Sequence, residues 1–515
     1  MITSLFSDNP ILIKYFRTRL RLQQLIPLII VVVLLSALSA WMGSNAEDKL
    51  PAFGFLFSLQ CILLFLSGSC QVAGAVAAGR EGGQLDFHRI SPQSPLAMAV
   101  GYLVGAPIRE LILFACTIPF TLPFFAIGNP FWMGFGLPVL LLAMLPAAFL
   151  WFSMALLLAL IVPKPRNVAV LVAIIVAGAH LLFTIPMLQH FTVIPTMIST
   201  MIQGVSTSGM YHSHSDENQW IISSFFAIQI PYVILGVLHQ LIIGIFCLYA
   251  AIRKLGNEQC YPISRSIALL IFGIFSCLLL GDIINPIFNS FFNLTDMAIF
   301  CLYAILVVAI ILLAICTPGR SEIVKGIRHI KKLGYKAIPA WSDRAPNSLF
   351  LIVVTTLSAL FCFVGITIIY YLRFASGFNE TINGASMLND AEFIKMMAAS
   401  LVTVGTTFFF GASMQYFLLR FRKQGTTYLA LMLFIIWLLP LAVALVLTTI
   451  FSQSSNDVRT VLSITPLSSI ALIITDNGID IGISLIIAIA LPWVLGIIFF
   501  LQSMREARSL PQQSM

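Results

Sequence analysis

Charge is scarce in this chain. Asp, Glu, Lys and Arg make up only 9% of its 515 residues, against about 25% in a soluble domain. A water-facing surface cannot be built from so few charges, which excludes a soluble globular protein. The nine cysteines form no Cys-x-x-Cys pair. Most lie within apolar runs, so they read as small interior residues and not as a disulfide or metal framework. No Gly-x-x-x-x-Gly-Lys-(Ser/Thr) occurs, and no polar stretch is long enough for a nucleotide-binding domain. Gly-x-Ser-x-Gly, His-Glu-x-x-His and paired carboxylates are also missing. The expectation is therefore no enzyme, no cofactor and no metal. The formal net charge of +8 does not argue for nucleic acid, because the basic residues sit in short clusters between hydrophobic runs.

What the chain has is apolar length. It is 59% hydrophobic, with a mean hydropathy of +0.99. Apolar runs of about 18 residues or more recur from end to end, as in membrane-spanning helices. Lipid admits only helices or closed barrels, and barrels would need alternating segments of about ten. The expected fold class is an all-α polytopic membrane protein. Twelve spans are predicted, near 25–42, 53–78, 106–127, 135–162, 168–190, 220–251, 267–284, 297–316, 348–372, 396–419, 427–451 and 481–502. The first run has Pro27 inside it and no small-residue cleavage site, so it reads as a retained span and not a signal peptide.

The basic residues orient these spans. One set of alternate connections, from Lys14–Arg21 through Arg320–Arg344 to Arg505 and Arg508, holds twenty-three of the 28 Lys and Arg. The other holds only Lys49, Arg373, Lys395 and Arg459, with Arg109 left beside the third span. By the positive-inside rule both termini are expected in the cytoplasm. The chain also reads as two six-span halves, 1–262 and 263–515. Each has a cytoplasmic segment after its second span, a long outer segment before its sixth, and a basic cytoplasmic tail, as internal repeats would have.

The segment from Gly79 to Gly105, "GREGGQLDFHRISPQSPLAMAVGYLVG", interrupts the apolar pattern. Gly82 and Gly83 free the backbone. Ser91-Pro92 and Ser94-Pro95 each suit the start of a helix, serine capping and proline in the first turn. Leu85, Phe87 and Ile90 alternate with Asp86, His88 and Arg89, as in a short element lying on something. From Ser94 to Gly128 the chain is too long to span as one straight helix, so a cytoplasmic helix, a break near Pro107 and then a span are predicted. Arg109 and Glu110 fall at the start of that span. As neighbours in a helix they are not expected to form a simple mutual ion pair. An intramembrane ionisable group is a functional candidate, and an interfacial pair is the plainer reading. "YHSHSDEN" (211–218) offers two histidines and two acids, which in a polar loop are ordinarily solvated. His180, His190 and His239 lie singly in or beside apolar runs and read as hydrogen-bonded interior residues. In 317–347, Ile323, Val324, Ile327, Ile330 and Leu333 recur at helical spacing among basic residues, which predicts an amphipathic helix on the inner membrane surface.

"REGGQLDFHRISPQSPLAMAVGYLVGAP" resembles the segment after the second span in permeases of the type 2 ABC exporter class. Their pattern runs approximately Glu-Arg-Glu-x-Gly-Thr-Leu-x-x-Leu-x-x-(Ser/Thr)-Pro-Leu-Ser, then a helix containing Gly-Lys. Arg80, Glu81, Gly83, Leu85, Ser91, Pro92, Ser94 and Gly101 match; Gly79 stands for the first glutamate, Gln84 for the threonine and Tyr102 for the lysine. "NPILIKYFRTRLR" (9–21) is similar to the Asn-Pro opening and Arg-rich amphipathic first helix of the same class. Its Ile11, Leu12, Tyr15, Phe16 and Leu20 are expected to face lipid or protein. The resemblance implies a permease subunit driven by a separate cytoplasmic ATPase, in a bacterial cytoplasmic membrane, as a homodimer or an internal pseudo-dimer. It implies an ATPase-coupling surface at Arg80, Glu81, Gly82, Gly83, Leu85, Asp86, Arg89, Ser91, Pro92, Ser94 and Pro95. The second half carries no matching motif. An ion-driven secondary transporter and a non-transporting membrane scaffold remain open alternatives.

Overall fold

The computed structural model describes residues 9–45, 50–91, 93–124, 136–162, 167–182, 222–225, 228–258, 260–283, 294–335, 338–375, 390–421, 424–438, 443, 469–470, 473 and 483–513. The chain divides into two compact units, Met1–Ser223 with Ile228–Pro262, and Ser224–Ala227 with Ile263–Met515.

The protein is a helical multi-pass membrane protein. Seven helices are long and apolar enough to cross a bilayer: Leu22–Asn45, Ala52–Glu81, Leu141–Ile161, Ile234–Gly256, Ser348–Ile368, Phe393–Arg420 and Leu485–Leu510. Two bent pairs, Pro95–Gly105 with Ile108–Thr121 and Cys301–Cys316 with Arg320–Lys332, raise the number to nine if each is one span. The described residues thus give seven to nine spans where the sequence predicts twelve. Val168–Ala177 and Thr427–Ile436 are apolar but below the length that covers a hydrocarbon core, and Arg265–Gly281 sits at its lower limit. Two strands, Ile222–Phe225 and Ile228–Pro231, occupy the start of the span expected at 220–251, and the helix begins only at Tyr232. Pro231 has no N–H to donate, which suits a strand end running into a helix.

In the first unit, α1 (Pro10–Arg19) is followed by α2 (Leu22–Asn45), then α3 (Leu50–Cys61) and α4 (Gly68–Glu81), joined by a π-helical stretch at Ile62–Ser67. The short α5 (Gln84–Ile90) and α6 (Pro95–Val100) come next, and α6 runs on as a π-helical stretch at Gly101–Gly105. α7 (Ile108–Thr117) follows a 43° bend at Ala106–Pro107, where the sequence predicts a break. α8 (Gly136–Ile161), α9 (Val168–Leu182) and α10 (Tyr232–Gly256) complete the unit.

The second unit holds α11 (Arg265–Ile283), α12 (Leu294–Cys316), α13 (Arg320–Lys332), α14 (Ser348–Ala375), α15 (Asp390–Arg420), α16 (Gly425–Leu433) and α17 (Ile483–Gln513). α15 and α17 interlock through small and aromatic residues, as membrane helices do where no hydrophobic force separates lipid from protein. Trp493 sits over Gly405 and Phe408 over Gly496, and the two rings stack with centroids 6.0 Å apart. The buried hydroxyls of Ser400, Thr403, Thr406 and Thr407 each donate to the carbonyl four residues back, so these four side chains sit inside α15 with their donors met.

Candidate coupling segment

Asn9 starts the site. Its extended backbone and side-chain oxygen cap α1, accepting from the amides of Ile11 and Leu12 at 3.1 and 3.3 Å, and Pro10 takes the first helical position. The same buried side chain donates from Nδ2 to the Ala97 carbonyl at 2.6 Å and accepts from Gln93 Nε2 at 3.1 Å. One residue thus caps α1 and fastens it to the start of α6. The apolar face expected to meet lipid or protein meets protein: Ile11, Leu12 and Tyr15 are buried, while Phe16 stays exposed. They lie on Gly101 and Gly105. A Cβ at Gly101 would meet Ile11 Cβ at 2.8 Å, and one at Gly105 would meet Tyr15 Cβ at 3.2 Å. This is a small-xxx-small approach, and the spacing Gly101-x-x-x-Gly105 is the signal that sequence reading passed over.

Tyr15 donates weakly to the Ala75 carbonyl at 3.5 Å and lies 5.9 Å from the Tyr102 ring. Burial holds its hydroxyl above the usual tyrosine range, with Arg19 opposing. Two of the departures from the family pattern meet here, because a Cβ on Gly79 would come within 2.9 Å of the Tyr102 hydroxyl oxygen. Gly79→Ala is expected to cost about 1 kcal/mol or more by overpacking. Combining it with Tyr102→Phe, which removes that oxygen, recovers most of the loss. A double-mutant cycle on thermal unfolding measures this, and additive effects would contradict the contact.

α4 ends as the glycines suggest. The Gly82 amide returns to the Ala78 carbonyl at 2.9 Å, and Gly83 takes the left-handed conformation at φ +65°. An L side chain there is strained by about 1 kcal/mol or more. Glu81, Gly82 and Gly83 are exposed.

The two arginines face inward. Arg80 Nη1 donates to the carbonyls of Ala159 at 2.7 Å and Val162 at 2.8 Å, capping the C-terminal end of α8. Arg89 does the same for α10, donating from Nε to Leu255 at 3.1 Å and from Nη2 to Lys254 at 3.4 Å. Its Nη1 also pairs with Asp86 at 2.7 Å and Glu258 at 3.0 Å. Cations on orphan helix-end carbonyls satisfy both the acceptors and the helix dipole. Leu85 is buried beneath α5. The alternation expected around it resolves as a helix, with Asp86, Phe87 and Ile90 outward; Ile90 is 85% exposed and Phe87 64%. Lys14 Nζ donates to Gln84 Oε1 at 2.6 Å. His88 is held below the usual histidine range by partial burial and then by Lys14.

The two Ser-Pro pairs differ. Ser94 caps α6, accepting from the Ala97 amide at 3.2 Å, and Pro95 follows at the first turn against Gly256. Ser91 does not start a helix. It terminates α5, and its hydroxyl donates to the His88 carbonyl at 2.8 Å. Pro92 lies outside the described residues. So do 211–218 and His190.

Arg109 and Glu110 correct the sequence expectation. Nε and Nη2 of Arg109 donate to Glu110 Oε1 at 3.1 and 2.8 Å, a direct ion pair. Glu110 is only 1% exposed, and a buried carboxylate draws the long Arg109 side chain back along the helix surface to itself. Glu110 Oε2 is buried without a hydrogen-bond partner among the described residues. His239 is buried, its Nδ1 2.8 Å from the Leu235 carbonyl.

Among the described residues, no three His, Cys, Asp or Glu side chains gather as a metal site. Mechanically, Arg80 at the end of α4 holds the end of α8, Arg89 on α5 holds the end of α10, and Asn9 fastens α1 to α6. No family model, no curated protein and no solved structure matches the chain.

Proposed function

We propose that this chain is the membrane permease of an ABC transporter of the type 2 exporter class, moving an unidentified substrate with ATP hydrolysed by a separate subunit. In this reading it has twelve spans, both termini cytoplasmic, in a bacterial cytoplasmic membrane. The two six-span halves serve as an internal pseudo-dimer, or the chain pairs as a homodimer. Support for twelve comes from the three shorter apolar helices, each of which begins near one of the remaining predicted spans. ATP is used by the partner, and the chain itself is no enzyme.

One observation carries the proposal. The segment's outer face is free, with Glu81, Asp86, Phe87 and Ile90 exposed, while Arg80 and Arg89 bolt its inner face to the ends of α8 and α10. A push on α5 passes through Arg89 to α10 and, across the Gly82–Gly83 turn to the end of α4, through Arg80 to α8 as a rigid-body motion. Copurification from the native host tests it. A Walker-type ATPase is expected to come with the chain. Glu81→Lys with Ile90→Glu is expected to weaken that association about tenfold or more while leaving the melting temperature unchanged. Association indifferent to both substitutions would sink the assignment.

A second reading, an ion-driven transporter, is favoured by the buried Glu110 with its unpartnered oxygen. Transport that continues without any ATPase and collapses with the ion gradient would select it.

A further inference from the structure

α13 is amphipathic, yet its apolar face is already used. Ile323 is buried in a cluster with Leu419 of α15 and Leu510 of α17, and Val324, Ile327, Ile338 and Ala507 pack around it. Arg320 donates to the Leu419 carbonyl at 3.3 Å, capping α15 as Arg80 and Arg89 cap helices in the first unit. A helix anchored this way does not insert its apolar face into lipid. What it presents outward is charge. Lys325, Arg328 and Lys332 follow at i, i+3 and i+7 on the face opposite Ile323, all exposed, with Lys331 beside them. Arg505 and Arg508 of α17 are exposed as well. The acids nearby are engaged: Glu322 with Lys325 at 3.0 Å, and Glu506 with Arg420 at 3.1 Å.

We propose that this basic face is a docking surface for anionic phospholipid headgroups. Its position favours lipid over an acidic protein. α13 follows three residues after the membrane helix α12 and bends 51° away from its direction. It packs where α15 and α17 also come to their ends, so its cations sit at headgroup depth. The chain then turns through Gly334, at φ +79°, and leaves Leu333 and Tyr335 exposed at 58% and 65%. A leucine and a tyrosine beside lysines suit the water–lipid boundary and are poorly placed in bulk water. With the apolar face committed to protein, attraction to lipid is mainly electrostatic and weakens with salt. The proposal does not depend on the transporter class.

Native mass spectrometry of the full chain in neutral detergent, titrated with phosphatidylglycerol or phosphatidylcholine, tests it. Lys325→Gln/Arg328→Gln/Lys332→Gln is expected to lower phosphatidylglycerol affinity about tenfold or more, with phosphatidylcholine binding unchanged. Lys325→Arg/Lys332→Arg is expected to retain it, which separates lost charge from lost folding. High ionic strength is expected to reproduce the triple variant's loss. An unchanged affinity would overturn the proposal and leave an acidic protein as the occupant. So would an equal loss from Arg17→Gln/Arg19→Gln/Arg21→Gln, because the effect would then be general to basic residues.

Discussion

Arg265→Met is expected to destabilise the second unit by about 3 kcal/mol or more. Arg265 opens α11 and is only 1% exposed. Its Nη1 donates to the Ala340 carbonyl at 3.0 Å and its Nη2 to the Ala345 carbonyl at 2.5 Å. Its backbone amide donates to Asp343 Oδ1 at 3.2 Å, and its guanidinium lies 5.9 Å from the Phe350 ring centroid. Trp341 Nε1 adds a bond to Ser266 Oγ at 2.9 Å. The connection between α13 and α14 is thus wound around one cation. Methionine fills similar space but takes the donor from both carbonyls, and that of Ala345 is buried away from water. Lysine is not expected to rescue, because a single ammonium does not reproduce the planar fork that reaches both carbonyls. Thermal unfolding in detergent reads the loss, and limited tryptic cleavage after Arg344 reads the opened connection. A cleavage rate equal to that of the unsubstituted protein would show that Arg265 does not hold it.

Gly101→Val is expected to undock α1, at about 2 kcal/mol. The new Cβ would fall 2.8 Å from Ile11 Cβ and 3.0 Å from Asn9 Oδ1. Both atoms belong to a buried, capped helix start that has no room to retreat. Trypsin at Lys14, Arg17 and Arg19 in the intact chain measures the release of α1. Asn9→Ala is expected to give a smaller release, about 1 kcal/mol, because it removes the cap and the Ala97 bond but leaves the contact with the glycines. Equal protection of all three proteins would refute the docking.

The fate of individual residues shows how much was legible. The Ser94-Pro95 cap, the left-handed Gly83 and the break at Pro107 follow from local chemistry, and local chemistry is written in neighbouring residues. Arg80 and Arg89 read as part of a coupling surface, since the carbonyls they cap are nowhere near them in sequence. Their acceptors lie 79 and 166 positions away. Arg109 and Glu110 failed for a different reason. Helical spacing says adjacent residues diverge, but burial of one carboxylate changes which rotamer of its neighbour is lowest in free energy. The amphipathic helix α13 was read correctly in its periodicity and incompletely in its setting, because periodicity names an apolar face without saying whether lipid or protein covers it.

The sequence by itself determined the class of this protein. With so few charges and so much apolar length, only a bundle of membrane helices satisfies the backbone and the side chains. It also determined the turn at Gly82–Gly83, the helix start at Ser94-Pro95 and the break at Pro107, though not that Ser91 ends a helix. The tertiary structure alone decided what the charges there do. Hydrophobicity and capping act over a few residues, whereas a helix-end carbonyl is satisfied by whichever cation the fold brings to it. Arg80 and Arg89 thereby became clamps on α8 and α10, and Gly101 with Gly105 became the bed of α1.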